Sequence, residues 1–413
     1  MELKFRNYQT EIINKSTNIL KNGHSNCVYL AMEVRTGKTL TALGICSELK
    51  AKNVLFITKK KAITSIEHDF YLLNPPYYLE IINYESLHKI PQTNWDVVIC
   101  DESHSLGAFP RPNKRAKQVK EIFRRSNPYV LFLSGTPTPE SYSQMYHQIY
   151  GVKGNPFEKY KNFYAFAKVY VKVTQRKINS MMINDYTKGL KSIIEAVNPF
   201  KISYTQKSAG FKTQTEEKIL YVELNNSTQK LIKRLKRDRV VEGEGEILLG
   251  DTGVKLMSKI HQLCSGTVKF ESGNAMTVDY SKVNFIKKYF KDKKIAIFYK
   301  FTQEYKALKE IYGEDLTNDL EEFKSTDKCI ALQIVAGREG VSLKEAQALV
   351  YYNIDFSATS YFQSRDRMTT KDRAYNKIYW IFSNKGIEND IYKTVVKKKD
   401  FTLNHFKRDL LDL

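Results

Sequence analysis

The sequence predicts an α/β chain carrying two parallel sheets in tandem, and three observations lead there. Short uninterrupted apolar runs recur along the chain, the segments between them repeat with helical period, and after a break the alternation starts again. Continuous apolar strands alternating with helices belong to parallel sheets covered on both faces.

In the first half the runs are CVYLA (27–31), VLFIT (54–58), EIIN (80–83), DVVIC (96–100) and YVLFL (129–133), with helical period over 38–51 and 114–125. In the second half they are KIAIFY (294–299), CIALQIV (329–335), ALVYY (348–352) and KIYWIF (377–382). The chain between reads differently. Segments 185–197, 227–239 and 252–264 have helical period, and the Gly-rich VEGEGEILLGDTG (241–253) predicts a loop or hairpin. QKSAGFKTQTEEK has little apolar periodicity. It predicts a hinge over 206–220, between a first lobe at 1–205 and a second at 221–413 that starts with a helical insertion.

Composition bounds the function. At roughly 100–200 residues per domain, a chain of 413 residues makes two or three domains. A hydrophobic share of 42% fills real cores and sets wholesale disorder aside. No apolar run approaches the roughly 18 residues of a membrane span. The opening MELKFRNYQTEIINK mixes charge with apolar residues where a signal peptide would have its apolar core. A cytoplasmic protein with no membrane partner is therefore expected. Five widely spaced cysteines without a CxxC pair read as reduced thiols. With 66 Lys and Arg against 45 Asp and Glu, the net charge of +21 favours polyanionic partners.

Three motifs carry chemistry. After CVYLA comes MEVRTGKTLTAL, where Gly37-Lys38-Thr39 closes a phosphate loop between a strand and a helix. Backbone N–H groups from Arg35, Thr36 and Gly37 and the helix N-terminus would cradle phosphates. Lys38 would neutralise them and the Thr39 hydroxyl would hold Mg²⁺. The full loop pattern fails at its first glycine, where Met32 stands. VVICDESH (97–104) then ends a strand in an acid pair: Asp101 to hold the Mg²⁺ shell, Glu102 to orient and polarise the attacking water. Finally, LFLSGTPTP (131–139) brings Ser134 and Thr136 to a strand end, at the edge where open α/β sheets bind ligands. These two hydroxyls are candidates for coupling nucleotide state to the second lobe.

Taken in order, these motifs resemble those of superfamily II helicases and translocases, and more closely the Swi/Snf-like branch. FRNYQ (5–9) is similar to the adenine-side motif, implying that Gln9 reads the base. ITKKKAITSIEHDF (57–70) and IINYESL (81–87) resemble the segments that touch the nucleic-acid backbone. NPFKISYTQKSAGF (198–211) and KLMSKIHQLCSG (255–266) resemble the exit from the first lobe and a helix early in the second. KIAIFYKFTQEYKAL (294–308), IVAGREGVSL (334–343) and SYFQSRDRM (360–368) resemble motifs IV, V and VI, and NKGIENDIYKTVVKKK (384–399) the closing helix. DESH, SGTP and QSRDR differ from the corresponding motifs of DEAD-box RNA helicases, which favours a motor on double-stranded DNA.

The resemblance implies two RecA-like lobes with ATP and Mg²⁺ in the cleft between them. It implies Gly340, Gln363 and Arg367 as nucleotide contacts from the second lobe, Arg367 being the arginine finger. Lys59, Lys60, Lys61, Lys300 and Arg338 are the expected contacts to DNA phosphates, with RPNKRAK (111–117) as a second candidate set, since a sequence-blind motor must hold the backbone. Two positions depart from the family. Arg35 stands where a loop glycine is usual, and Thr370 where motif VI carries its second arginine, leaving Arg365 or Arg373 as substitutes. The expected activity is ATP-driven movement on duplex or branched DNA by a monomeric bare motor of the phage or mobile-element kind, with replication or recombination proteins as possible partners. Two alternatives stay open: a strand-separating DNA or RNA helicase, and a nucleotide-gated DNA-binding protein with little turnover.

Overall fold

The computed structural model describes residues 4–178, 181–243, 245–337, 341–370 and 372–396. The chain divides into two compact units between Gly210 and Phe211.

The first unit runs α1 (Asn7–Asn22), β1 (Cys27–Met32), α2 (Lys38–Glu48), β2 (Asn53–Thr58), α3 (Ile63–Leu73), β3 (Tyr78–Asn83), β4 (Val97–Asp101), α4 (Lys114–Ser126) and β5 (Tyr129–Leu133). It continues with α5 (Met145–Ile149), α6 (Phe163–Tyr170), β6 (Thr174–Ile178), β7 (Met181–Asp185), α7 (Ser192–Val197) and β8 (Lys201–Tyr204). Six strands form one parallel sheet in the order β3-β2-β4-β5-β1-β8. The pleat sends alternate residues to opposite faces. Tyr29 and Ala31 of β1 thus pack with α4, α5, α6 and α7, while Val28, Leu30 and Met32 pack with α1 and α2. All six β1 residues are buried, the mark of a strand covered on both sides.

The second unit runs β9 (Gln214–Val222), α8 (Asn226–Asp238), β10 (Val240–Gly243), β11 (Glu246–Leu249), α9 (Gly253–Cys264), β12 (Thr267–Lys269), β13 (Ala275–Thr277), α10 (Ser281–Tyr289) and β14 (Ile295–Tyr299). Then come α11 (Thr302–Tyr312), β15 (Leu316–Thr317), α12 (Leu320–Ser325), β16 (Cys329–Gln333), α13 (Ile334–Gly337), β17 (Ala348–Tyr351), α14 (Ala358–Arg365) and β18 (Tyr375–Ser383). Its parallel sheet has the order β15-β16-β14-β17-β18-β9. The α8–α9 region closes a separate small core around Leu235, Leu248 and Leu263.

Two local readings change and a third holds. Residues 214–220, expected in the hinge, belong to β9, which pairs along its whole length with β18. Its side chains alternate in burial, so it shows no continuous apolar run. Only 192–197 of the segment 185–197 is helical, and β6–β7 form an antiparallel hairpin just before it. The Gly-rich 241–253 segment contributes to the β10–β11 hairpin. All five cysteines are buried and free. Among the described residues no helix is long and apolar enough to cross a membrane.

Candidate functional site

The phosphate loop leaves β1 and enters α2 through two left-handed residues, Arg35 (φ 63°) and Gly37 (φ 78°). At Gly37 a side chain is excluded twice. The conformation favours glycine, and an added Cβ would lie 2.5 Å from Gln9 Nε2. Arg35 adopts the same backbone region despite its side chain, which costs an L-residue about 1 kcal/mol or more.

Elements on both flanks brace the loop. Gln9 Nε2 donates to Gly37 O (3.3 Å) and Thr41 Oγ1 (3.4 Å), while its Oε1 accepts from Arg6 N (3.0 Å). Gln9, expected to read the base, is thus a buried brace whose amide is already engaged. On the other flank, Gln206 N donates to Glu33 Oε2 (2.6 Å) and Gln206 Nε2 to Val34 O (3.0 Å). Tyr8 donates to Thr36 O (3.0 Å) and stacks on Tyr204 with ring centroids 4.4 Å apart. Sequence reading missed this strap. Its only signal was the resemblance of residues 198–211 to the exit from the lobe.

Lys38 points back across the loop and donates to Met32 O (2.9 Å). Gly135 of the SGTP segment lies beneath it, where an added Cβ would stand 3.4 Å from Lys38 Nζ. Thr39 begins α2 half-buried beside it. Asp101 ends β4, and its Oδ2 accepts from Thr58 Oγ1 at the end of β2 (2.8 Å). Burial, then the adjacent Glu102, push the Asp101 carboxyl up to about 6, against the pull of Lys38 and Thr58. Burial raises Glu102 as well, but the hydrogen bond and charge of His104, with Lys38 and Lys59, outweigh it and hold this carboxyl far below its ordinary range. Glu102 itself is left-handed (φ 48°), a strained turn that aims consecutive acids differently.

His104 Nδ1 lies 3.2 Å from Glu102 Oε2 and 3.1 Å from Ser134 Oγ. Ser134 Oγ in turn accepts from Thr136 N (3.0 Å). The Thr136 hydroxyl is buried without a hydrogen-bond partner, an orphan poised for another group. A second thread runs beneath, from Ser103 through Tyr29 (2.8 Å) to Gln148 (2.7 Å), whose Nε2 donates to Pro137 O (2.8 Å). The acid pair and the SGTP turn are therefore one hydrogen-bonded assembly. His104 was visible in DESH and Thr58 fell within the 57–70 segment, but Tyr29 and Gln148 carried no motif signal.

The donor set suits Mg²⁺. Carboxylates and a hydroxyl are hard oxygen ligands, and Mg²⁺ is held by one or two carboxylates together with substrate phosphates.

In the second unit, motif VI lies on α14 and the turn after it. Gln363 is buried, and Arg367 Nε donates to its carbonyl (2.7 Å). The two substitute arginines have structural work instead. Arg365 pairs with Glu217 of β9 (3.1 Å), a carboxylate that also accepts from Tyr361 (2.8 Å) and Trp380 Nε1 (3.2 Å). Arg373 donates to the carbonyls of Lys344 (3.0 Å), Ala346 (2.8 Å) and Tyr375 (3.0 Å). Thr370 offers its carbonyl to Thr213 Oγ1 (3.1 Å).

The expected phosphate contacts part company. Lys60 and Lys61 are exposed in the turn after β2. Lys59 lies close enough to Glu102 to lower its carboxyl, which puts it with the acid pair. Lys300 is paired with Asp355 (2.8 Å) and little exposed, so its charge is used inside the unit. Arg338 and Gly340 lie outside the described residues.

Two parallel-sheet units, one carrying a phosphate loop, a lysine and an acid pair at a single sheet edge, define a helicase-like ATPase core. The SNF2-related domain family matches residues 63–272, just over half of the chain, and the res subunit of type III restriction enzymes matches residues 2–78. The chain belongs to the SNF2-related family. Among solved structures it is similar to a Sulfolobus solfataricus SWI2/SNF2 ATPase core domain, at 16% identity and a TM-score of 0.42, over 98% of this chain and 91% of that one. No curated protein sequence matches it.

Proposed function

We propose that this protein is an ATP-dependent DNA translocase that moves on duplex or branched DNA, as in fork remodelling, branch migration or protein removal. One observation carries the reading: Lys38, Asp101, Glu102, His104 and Ser134 converge at one sheet edge, with His104 bridging Glu102 and Ser134. Lys38 and the loop N–H groups bind the ATP phosphates, with Thr39 and Asp101 as the Mg²⁺ ligands. Bound there, Mg²⁺ would supply positive charge to the phosphates. Glu102, kept ionised by His104, orients and polarises the attacking water. Arg367 supplies positive charge as negative charge builds in the transition state, a contribution of about 10³–10⁵ in rate in related hydrolases. Ser134 and Thr136 pass the state of the acid pair onward, and Lys60 and Lys61 hold DNA phosphates without reading sequence.

The test is steady-state ATP hydrolysis alone and with single-stranded DNA, duplex DNA, a fork and RNA, with Glu102→Gln as the blank. Stimulation by duplex or forked DNA that weakens with salt supports the translocase. A preference for RNA or single strands moves the reading to an unwinding helicase, and ATP binding without turnover moves it to a nucleotide-gated binder. One observation favours unwinding: the β6–β7 hairpin exposes Met181, Met182 and Ile183, an apolar edge able to stack on a base pair. Met182→Ser would then cut strand displacement while leaving DNA-stimulated hydrolysis intact.

A further inference from the structure

On the first unit, outside the assembly just described, a groove of about 480 Å³ runs between α4 and the α5–α6 segment. Its floor is apolar, formed by Ala116, Tyr146, Tyr150 and Phe163, with Pro110 and Pro112 at one end. Its rim is cationic: Arg111, Lys117, Lys120, Arg124 and Lys161 are all exposed. The one acid there, Glu121, is bonded to Arg124 (2.7 and 3.1 Å).

The phenol hydrogens of the floor are already committed. Tyr146 donates to Tyr160 O (3.0 Å), Tyr150 to Lys161 O (3.1 Å), and His147 Nε2 lies 3.1 Å from Pro110 O. What remains is ring faces, methylenes and phenol oxygens that can only accept. A nucleobase pressed into it would bury its acceptor groups without a phenol hydrogen to pair them, at about 1–3 kcal/mol for each group. A Leu side chain carries no such cost, and the single N–H of a Trp can donate to a phenol oxygen. On the rim, Lys120 Nζ stands 4.1 Å over the Tyr150 ring, and burial lowers its ammonium. An arriving carboxylate offsets that partial desolvation with its opposite charge and adds an ion pair to the cation–π contact.

We infer that this groove docks an acidic peptide segment of a partner protein, with a Trp- or Leu-type anchor on the Tyr146–Tyr150–Phe163 floor and Asp or Glu side chains on the Lys117, Lys120 and Arg124 rim. An apolar anchor ringed by charge is the usual arrangement of a peptide hot spot. The inference does not use the ATPase reading and stands or falls separately from it.

Fluorescence anisotropy on the full chain tests it, with a labelled glutamate-rich peptide containing one Trp and one Leu. Saturable binding is expected, at least about tenfold weaker when both anchors are Ser or when the protein carries Lys120→Glu and Arg124→Glu. Thermal melting checks that this variant is folded. If it is not, Lys120→Gln reads the same contact. Equal binding of the Ser peptide would reduce the groove to a charged surface and overturn the docking site. So would absence of saturation. Tighter binding of an oligothymidylate of equal charge, weakened by the same substitutions, would overturn it in favour of single-stranded nucleic acid.

Discussion

His104 Nδ1 lies 3.2 Å from the Glu102 carboxylate, with both side chains largely buried. Without that neighbour, two consecutive buried acids would compete for one proton, since like charges so close raise each other. The contact decides which acid keeps its charge. Glu102 is held ionised and Asp101 is the one pushed up.

The consequence for Glu102 is testable through pH. His104→Ala should lower ATP turnover and move the acidic limb of the pH–rate profile upward, because the Glu102 carboxyl rises once its partner is gone. A uniform loss of rate with an unmoved limb would assign His104 a packing role only. Glu102→Gln should reduce turnover by about 10² or more while ATP binding persists.

Asp101 makes the opposite prediction for stability. Its carboxyl, at about 6 in the fold, lies above its ordinary 3.8. The folded state therefore binds the extra proton, and stability rises as pH falls from above 6 towards the ordinary range. Asp101→Asn should raise the melting temperature at pH 7.5 and flatten this dependence, at the cost of Mg²⁺-dependent hydrolysis. Melting curves at several pH values without nucleotide check both. A lower melting temperature for the variant would refute the assignment of Asp101 as the strained acid.

Arg35→Gly should relieve the left-handed strain at φ 63°. The gain of about 1 kcal/mol is partly offset by the freedom glycine has when unfolded. Differential scanning calorimetry should show a rise of no more than about 2–4 °C. A fall would mean that contacts of the guanidinium outweigh the strain.

The two motif VI arginines should separate cleanly. Arg365→Ala leaves Glu217 buried beside Tyr361 and Trp380 without its cation, and should destabilise the second unit by about 3 kcal/mol. Arg367→Ala should leave melting and ATP binding nearly unchanged and remove most turnover. The reverse pattern would exchange their roles.

The buried pair Lys282–Glu388, at 2.8 Å with neither side chain exposed, offers a double-mutant test. Lys282→Met alone should cost about 3–5 kcal/mol, because it strands a buried charge. Adding Glu388→Leu should recover much of that. Urea denaturation measures both, and strictly additive losses would argue against the pairing.

Much of the fold could be read from the chain because buried parallel strands announce themselves. β1, β2, β4, β5 and β14 are short apolar runs with helices between them. The β9 strand was not legible, since its exposed and half-buried residues alternate and mimic a linker. Within the site, Lys38, Asp101 and Glu102 stood out because their neighbours in sequence form motifs. Thr58 and Gln206 were marked only by the resemblance of the segments that hold them, while Tyr29 and Gln148 act across the sheet, so no local pattern marks them.

By itself, the sequence determined the parallel α/β architecture, the basic charge and the order of the motifs, because these depend on local periodicity and composition. Only the tertiary structure decided which charges have partners. It sorted Lys300 to Asp355, Arg365 to Glu217 and Lys282 to Glu388. An ion pair depends on distance and burial between residues far apart in the chain, and neither is written in the chain's local pattern.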